Sequence, residues 1–311
     1  MPSTYFRFEL HPRSAPARSP FLERLLESSQ AVASVVDWRR EAQQLLGVPP
    51  GELLQAAPAA LLTQIQASIR IDAGAHAFVA APVHTRASLT SVSLPHGGML
   101  SLGTDESREL AADFNERLAH SGARMIASPT GVLFCVFDTE LDVRTCEPEI
   151  LQGYDLREFQ PTGPGASCLK KTGSEIEMWL FGHPINLRRR SMGELEITGF
   201  WLWGGGGLVR QLPPLRIEFL GADVLFSAWS GSGPATTPAL GTIVRCPAAP
   251  GEPAFEEFSK TLLEEAAWLL RRGQVEALHF SCGFRCMTVR RMPRWLFRRT
   301  QPWWEYFNES A

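Results

Sequence analysis

Lysine is almost absent from this chain. Of its 30 basic residues only Lys170, Lys171 and Lys260 are lysine, so the positive charge is nearly all arginine. Arginine suits fork-like pairing with carboxylate and phosphate, although a coding bias toward arginine accounts for the same count. Long apolar runs are missing too: none approaches the roughly 18 residues of a membrane span. The opening "MPSTYFRFELHPR" has neither an apolar run nor a small-residue cleavage site, so no secretory signal is expected. The six cysteines (Cys135, Cys146, Cys168, Cys246, Cys282 and Cys286) are scattered and outline no disulfide framework. Cys282 and Cys286 flank an expected hairpin turn, but no second Cys or His pair lies nearby in sequence to complete a zinc site. A formal net charge of −3 supplies no whole-molecule pull toward nucleic acid or anionic membrane. These absences lead to the expectation of a reduced, cytoplasmic protein.

What is present is ordinary for a globular chain: 311 residues, 44% apolar and 20% charged, enough for one large domain or two small ones. Residues 19–47 read as a helix, with Ser19 as N-cap, Pro20 at its first position and Gly47 as terminator. A proline-broken helical region follows, then short strands at "HAFVAAPVHTR" and "SLTSVSL". The clearest helix starts at Thr104 as cap, with Leu110, Phe114 and Leu118 recurring every fourth residue. "GVLFCVF" has the look of a buried strand. The Pro- and Gly-rich "QPTGPGAS" suggests a boundary between lobes at 1–165 and 166–311, the two making one compact unit. In the second lobe Ser174 and Glu177 have capping-box spacing, and Asn186 is a candidate cap for a helix over 187–192. "EITGFWLWGGGG" and "GADVLFSAWSGSG" each read as a strand running into a small-residue loop. An amphipathic helix ends at Gly273, and a hairpin precedes the aromatic, basic tail. Interleaved strands and helices predict an α/β fold: a mixed sheet with flanking helices.

One dense polar cluster stands out. His183, Asn186 and Arg189 precede a strand that ends in Gly204, Gly205 and Gly206. Glycine amides turned inward, a guanidinium and a helix start are together a means of holding an anion. The same residues also fit a tight exit from a buried strand, with Asn186 as a cap. The histidines show no HxH or HxxxH spacing, so no metal is expected, nor any cofactor. "WSGSG" at 229–233 lacks the order of a nucleophile elbow, and no catalytic residue is assigned. The tail interleaves Arg294, Trp295, Arg298, Trp303 and Trp304. Arginine with tryptophan suits a protein interface, a tail docked on the body, or stacking on single-stranded nucleic acid.

"EIEMWLFGHPINLRRRSMGELEITGFWLWGGG" resembles the signature of the bacterial regulator-of-pathogenicity-factors type E family, whose members are often labelled phosphoglycerate-mutase-like. Glu175, Ile176, Met178, Leu180, His183, Pro184, Asn186, Arg189, Gly193, Trp201, Leu202, Trp203 and Gly204 to Gly206 match its pattern. The stretch is also similar to one segment of archaeal-type cofactor-independent phosphoglycerate mutases, where it belongs to a substrate-side domain beside a two-metal core. The resemblance implies a fold related to that non-metal domain. The core's Asp-Gly motif, nucleophile segment and His/Asp ligand cluster have no counterpart here. Trp203 stands where the mutases carry an arginine, Glu196 and Thr198 replace the family's Pro and Asn, and Ala81 replaces an Asp.

The expectation is therefore a non-catalytic regulatory or partner-binding protein. His183, Asn186, Arg189 and Gly204 to Gly206 would take an anionic metabolite, while the tail residues would meet a protein partner. Two alternatives accompany it: a metal-dependent mutase or phosphatase, and a nucleic-acid accessory protein acting through the tail.

Overall fold

The structure is a computed structural model and describes residues 2–8, 18–32, 38–47, 74–207, 217–221, 223, 226, 241–246, 253–282, 285–291 and 301–307. Along the chain come β1 (Ser3–Arg7), α1 (Pro20–Leu26), β2 (Ser29–Val32), α2 (Trp38–Leu45) and β3 (His76–Val83). A short pair, β4 (Arg86–Ala87) and β5 (Val92–Ser93), precedes α3 (Thr104–Arg117), β6 (Ala123–Ala127) and β7 (Leu133–Phe137). Then follow α4 (Ala166–Phe181), α5 (Pro184–Ser191), β8 (Gly199–Gly207), β9 (Ile217–Leu220) and β10 (Gly241–Arg245). A π turn, Ser259–Leu263, joins α6 (Pro253–Phe258) to α7 (Glu264–Arg272), ahead of β11 (Ala277–Cys282) and β12 (Arg285–Arg290). The fold is mixed α/β, as expected from the sequence.

The expected boundary at 165/166 is not where the chain divides. One unit comprises Met1–Leu53 with Leu212–Ala311, the other Leu54–Gln211. The cause is strand pairing. β1 lies between β10 and β11, parallel to both, so the last third of the chain completes a sheet begun by its first strand. β3 pairs with β8 across the expected boundary.

The first unit holds a six-stranded sheet ordered β2-β12-β11-β1-β10-β9. Side chains alternate across it. Phe6, Val244, Leu278, Phe280, Met287 and Val289 join one core with Leu22 and Leu26 of α1, Phe255 of α6 and Leu270 of α7. Gly273 closes α7 in the left-handed region at φ 72, as its sequence position suggested. The expected helix over 19–47 is corrected: α1 stops at Leu26, and Ser29–Val32 forms β2 against β12. Sheet pairing supplies there what local helix propensity does not.

The second unit holds a four-stranded antiparallel sheet ordered β6-β7-β3-β8. Phe78, Cys135, Phe137 and Leu202 pack with Leu110 and Phe114 of α3, Leu169, Ile176 and Leu180 of α4, and Ile185 of α5. Thr104 is the first residue of α3 rather than its cap. Gly103 takes the cap, and its N–H donates to Glu106 Oε2 at 3.1 Å. α4 begins at Ala166, so Ser174 lies inside a helix and starts nothing. Of the expected "SLTSVSL" strand only Val92–Ser93 forms a strand, with Leu94 in an isolated bridge to Gln152. The helical region after Gly47 and most of the "GADVLFSAWSGSG" segment lie outside the described residues.

Candidate functional site

The segment carrying the family resemblance is the corner between α4 and α5. His183, not Asn186, is the N-cap of α5: its backbone is extended, and Nδ1 accepts the Ile185 N–H at 3.1 Å. Pro184 follows at the first helical position, where its missing N–H costs no bond. Asn186 lies inside the helix, buried, with its amide fully used. Nδ2 donates to Leu180 O and to Ile197 O, each at 2.8 Å, and Oδ1 accepts from Ile197 N at 2.8 Å. One side chain thus ties the end of α4, the body of α5 and the approach to β8.

Arg189 is equally committed. Nε donates to Leu195 O at 2.8 Å, and one terminal nitrogen lies 2.9 Å from Glu106 Oε1 and 3.1 Å from Oε2. The other terminal nitrogen is 3.4 Å from Glu194 Oε2. The carboxylate that caps α3 therefore also holds α5. An external anion here would have to displace Glu106 and Glu194 from the guanidinium.

Asp113 of α3 organises the neighbouring contact. It accepts from Trp179 Nε1 and from Arg117 Nε, each at 2.7 Å, and lies 3.2 Å from His183 Nε2. Burial pushes the Asp113 carboxyl up, but the Arg117 and Trp179 hydrogen bonds pull harder and leave it below the usual carboxylate range. His183 is 5% exposed. Burial lowers its pKa, more than Asp113 raises it.

The glycines do not form the expected loop; they are strand β8. Val79 pairs with Trp203 while Ala77 pairs with Gly206, so β8 holds one extra residue there, a β-bulge opposite Phe78. Gly204 takes φ 64, and its N–H donates to Thr145 Oγ1 at 3.2 Å. A Cβ on Gly205 would sit 2.1 Å from Phe78 Cε1. The glycines at 204 and 205 thus follow from a bulge and an aromatic ring. Trp201 Nε1 donates to Cys146 O at 2.7 Å, and Trp203 is buried. Among the described residues no hydrogen bond or ion pair joins His183, Asn186 or Arg189 to Gly204, Gly205 or Gly206.

Of the tail, Arg294, Trp295 and Arg298 lie outside the described residues. Trp303, expected at an interface, is 0% exposed and belongs to the core of the first unit. Its backbone N–H donates to Glu23 Oε1 at 3.4 Å, and Trp304 packs on the same core, partly buried. The large indole gains more by entering the aromatic cluster than by staying in water.

Two features escaped the sequence reading. The first is the second face of the six-stranded sheet, which is buried yet polar: Tyr5, Arg7, His279, Ser281, Cys286 and Thr288. Arg7 donates to Ser281 Oγ at 3.4 Å, and His279 Nδ1 lies 2.9 Å from Thr288 Oγ1. Arg39 of α2 bonds Asp223 Oδ2 at 2.9 and 2.6 Å, with Arg245 at 3.7 Å from the same oxygen. Arg7 and Arg245 end their parallel strands, on the side where open α/β sheets place ligands. In this chain Asp223 itself occupies the Arg39 fork. The signal was legible as alternation in "STYFRF", where Ser3, Tyr5 and Arg7 share one side.

The second is apolar and exposed. Met178 (71%), Phe181 (89%), Leu187 (57%), Met192 (63%) and Leu195 (41%) all stand in solvent on or beside α4 and α5. The motif's buried members build the corner, and these members decorate it.

Among the described residues no group of three or more His, Cys, Asp or Glu side chains is gathered to hold a metal ion. No helix among them is long and apolar enough to cross a membrane. No family model and no curated protein matches the chain. Among solved structures it is similar to a cofactor-independent phosphoglycerate mutase from Thermoplasma acidophilum DSM 1728, at 13% identity and a TM-score of 0.35, covering 93% of this chain and 89% of that one. It is also similar to the PH0037 protein from Pyrococcus horikoshii, at 12% identity and a TM-score of 0.37, covering 94% of this chain and 88% of that one.

Proposed function

We propose that this chain is a non-catalytic regulatory protein that binds a protein partner through the α4–α5 corner. The observation supporting this reading is the concentration of exposed apolar side chains there. Singly exposed leucines or methionines are normal on soluble proteins, but a concentration of large ones marks interaction surfaces. Phe181 and Met178 are adjacent on the α4 surface at i, i+3 spacing, where side chains meet. In the same corner Asn186 bonds the Leu180 carbonyl of α4 and Arg189 bonds the Leu195 carbonyl, so the two helices are fastened there. The resemblance to a family of regulators agrees with this reading.

The test starts from affinity purification of the full chain from its native cell, then hydrogen exchange on the purified complex. Protection should fall on the α4–α5 corner and vanish in Met178→Asp/Phe181→Asp, which alters only exposed positions. Protection elsewhere, or a complex indifferent to that double variant, would remove this surface from the reading. In parallel, pure protein given 3-phosphoglycerate with manganese or zinc should form no product; turnover would favour the mutase alternative.

A further inference from the structure

The N-cap of α5 is satisfied by one protonation state of one residue. His183 Nδ1 accepts the Ile185 N–H at 3.1 Å, so Nδ1 carries no proton. The proton of the neutral ring is then on Nε2, 3.2 Å from Asp113 Oδ2 in an approach too oblique for a well-aligned hydrogen bond. The ring packs edge-on against Trp179, with centroids 4.9 Å apart. A second proton has one place to go, which is Nδ1. There it would face the Ile185 N–H, donor against donor, and the cap would be lost.

We propose that His183 is an acid-sensitive latch: neutral, it caps α5, and protonated on Nδ1 it lets go of the Ile185 N–H and leaves that helix end without its side-chain cap. α3 faces the ring with Asp113, Glu109 and Arg117, while α4 contributes the uncharged indole of Trp179. The two carboxylates favour the added proton, whereas burial and Arg117 oppose it. Burial dominates, so the ring stays neutral to a lower pH than a solvated histidine.

The release is local. Asn186 N and Leu187 N bond to the His183 carbonyl, at 3.0 and 3.4 Å, and protonating the ring does not touch those bonds. The three Asn186 side-chain bonds and the Arg189 contacts hold the rest of α5. Ile185 N–H is therefore the specific reporter. The uncapped residue lies two positions before Leu187, one of the exposed apolar side chains, although the latch is a property of the corner and does not depend on partner binding.

The experiment is nuclear magnetic resonance of the full chain, followed from about pH 8 to about pH 5, either side of an ordinary histidine pKa. At neutral pH the His183 ring nitrogens should report the Nε2–H form. As the ring titrates, the Ile185 amide should shift with the same midpoint and exchange roughly fivefold faster, as loss of a cap implies. The Asn186 and Leu187 amides should move less. In His183→Asn, whose side chain caps without titrating, Ile185 should stay protected throughout. A neutral Nδ1–H tautomer, an Ile185 amide indifferent to ring titration, or the same response in His183→Asn would each overturn the proposal. If His183→Asn does not fold, the tautomer and the Ile185 titration of the unaltered chain decide alone.

Discussion

Gly205 of β8 and Phe78 of β3 are locked together: a Cβ on the glycine would lie 2.1 Å from the phenylalanine Cε1. Phe78 cannot yield easily, because it is fully buried and meets Phe137 edge-to-face at 5.7 Å. Gly205→Ala should therefore destabilise by about 3 kcal/mol, the upper range for overpacking a filled core. Adding Phe78→Leu should recover part of that loss, because the two residues touch and their effects must not add. Denaturant unfolding of the two single variants and the double variant closes the cycle. Strict additivity would mean that the glycine is there for another reason.

That pair also shows why the sequence was legible in parts. α3 could be read locally, since Leu110, Phe114 and Leu118 repeat at helical spacing and all three are buried. The hairpin of β11 and β12 and the Gly273 stop were equally local. Gly205 was not, because the ring that requires it stands on a strand far off in the chain. Ser29–Val32 becomes a strand only when β12 arrives beside it. α4 starts at a glycine with no side-chain cap, so nothing in the sequence announced its beginning. In the candidate site the recipients of the hydrogen bonds were not legible. Asn186 and Arg189 bond backbone carbonyls and two glutamates that no motif reveals.

Asn186 should therefore behave as a structural fastener. Asn186→Ala strands both backbone polar groups of the buried Ile197, while the Leu180 carbonyl keeps the His183 N–H at 3.1 Å. Unsatisfied buried groups cost about 1–3 kcal/mol each, so a total near 4 kcal/mol is expected. Asn186→Asp should be about as damaging, since a carboxylate cannot donate to two carbonyls. Unfolding that barely changes in either variant would mean the amide is replaceable by water, and that the corner is open.

Arg189 offers a direct contrast between scaffold and sensor. With Glu106 and Glu194 already on its guanidinium, added inorganic phosphate should leave the melting temperature of the unaltered chain unchanged. Arg189→Ala should lower that temperature with or without phosphate, because Leu195 O and Glu106 lose their donor. The anion reading demands the opposite: a phosphate-dependent rise that disappears in Arg189→Ala.

Acid should weaken the first unit through His279. Burial and, secondarily, Arg290 lower its pKa from 6.5 to about 4, so the unfolded chain binds the proton first. The stability it contributes is therefore complete above about pH 6.5 and is lost as pH falls toward 4. The loss over that window is at most on the order of 3 kcal/mol. His76 and His183 are also lowered by burial, and their slopes have the same sign. His279→Gln should flatten the acid limb without abolishing it. An unchanged limb in that variant would place the proton uptake on the other two rings.

Trp303 decides whether the end of the chain is fastened or offered. Its indole is fully buried among the aromatic residues of the first core, where Phe307 lies 6.4 Å away and Trp304 5.8 Å away between ring centroids. Trp303→Ala removes that volume from a filled site and should cost about 3–5 kcal/mol. Trp304 is only partly buried, so Trp304→Ala should cost distinctly less. Equilibrium unfolding read at the first unit, for instance by hydrogen exchange in β11 and β12, separates the two variants. An interface role predicts the reverse pattern, in which Trp303→Ala leaves the isolated chain as stable as before and weakens only its complexes. Burial of the ring favours the first outcome, because an anchor awaiting a partner has to be reachable before the partner arrives.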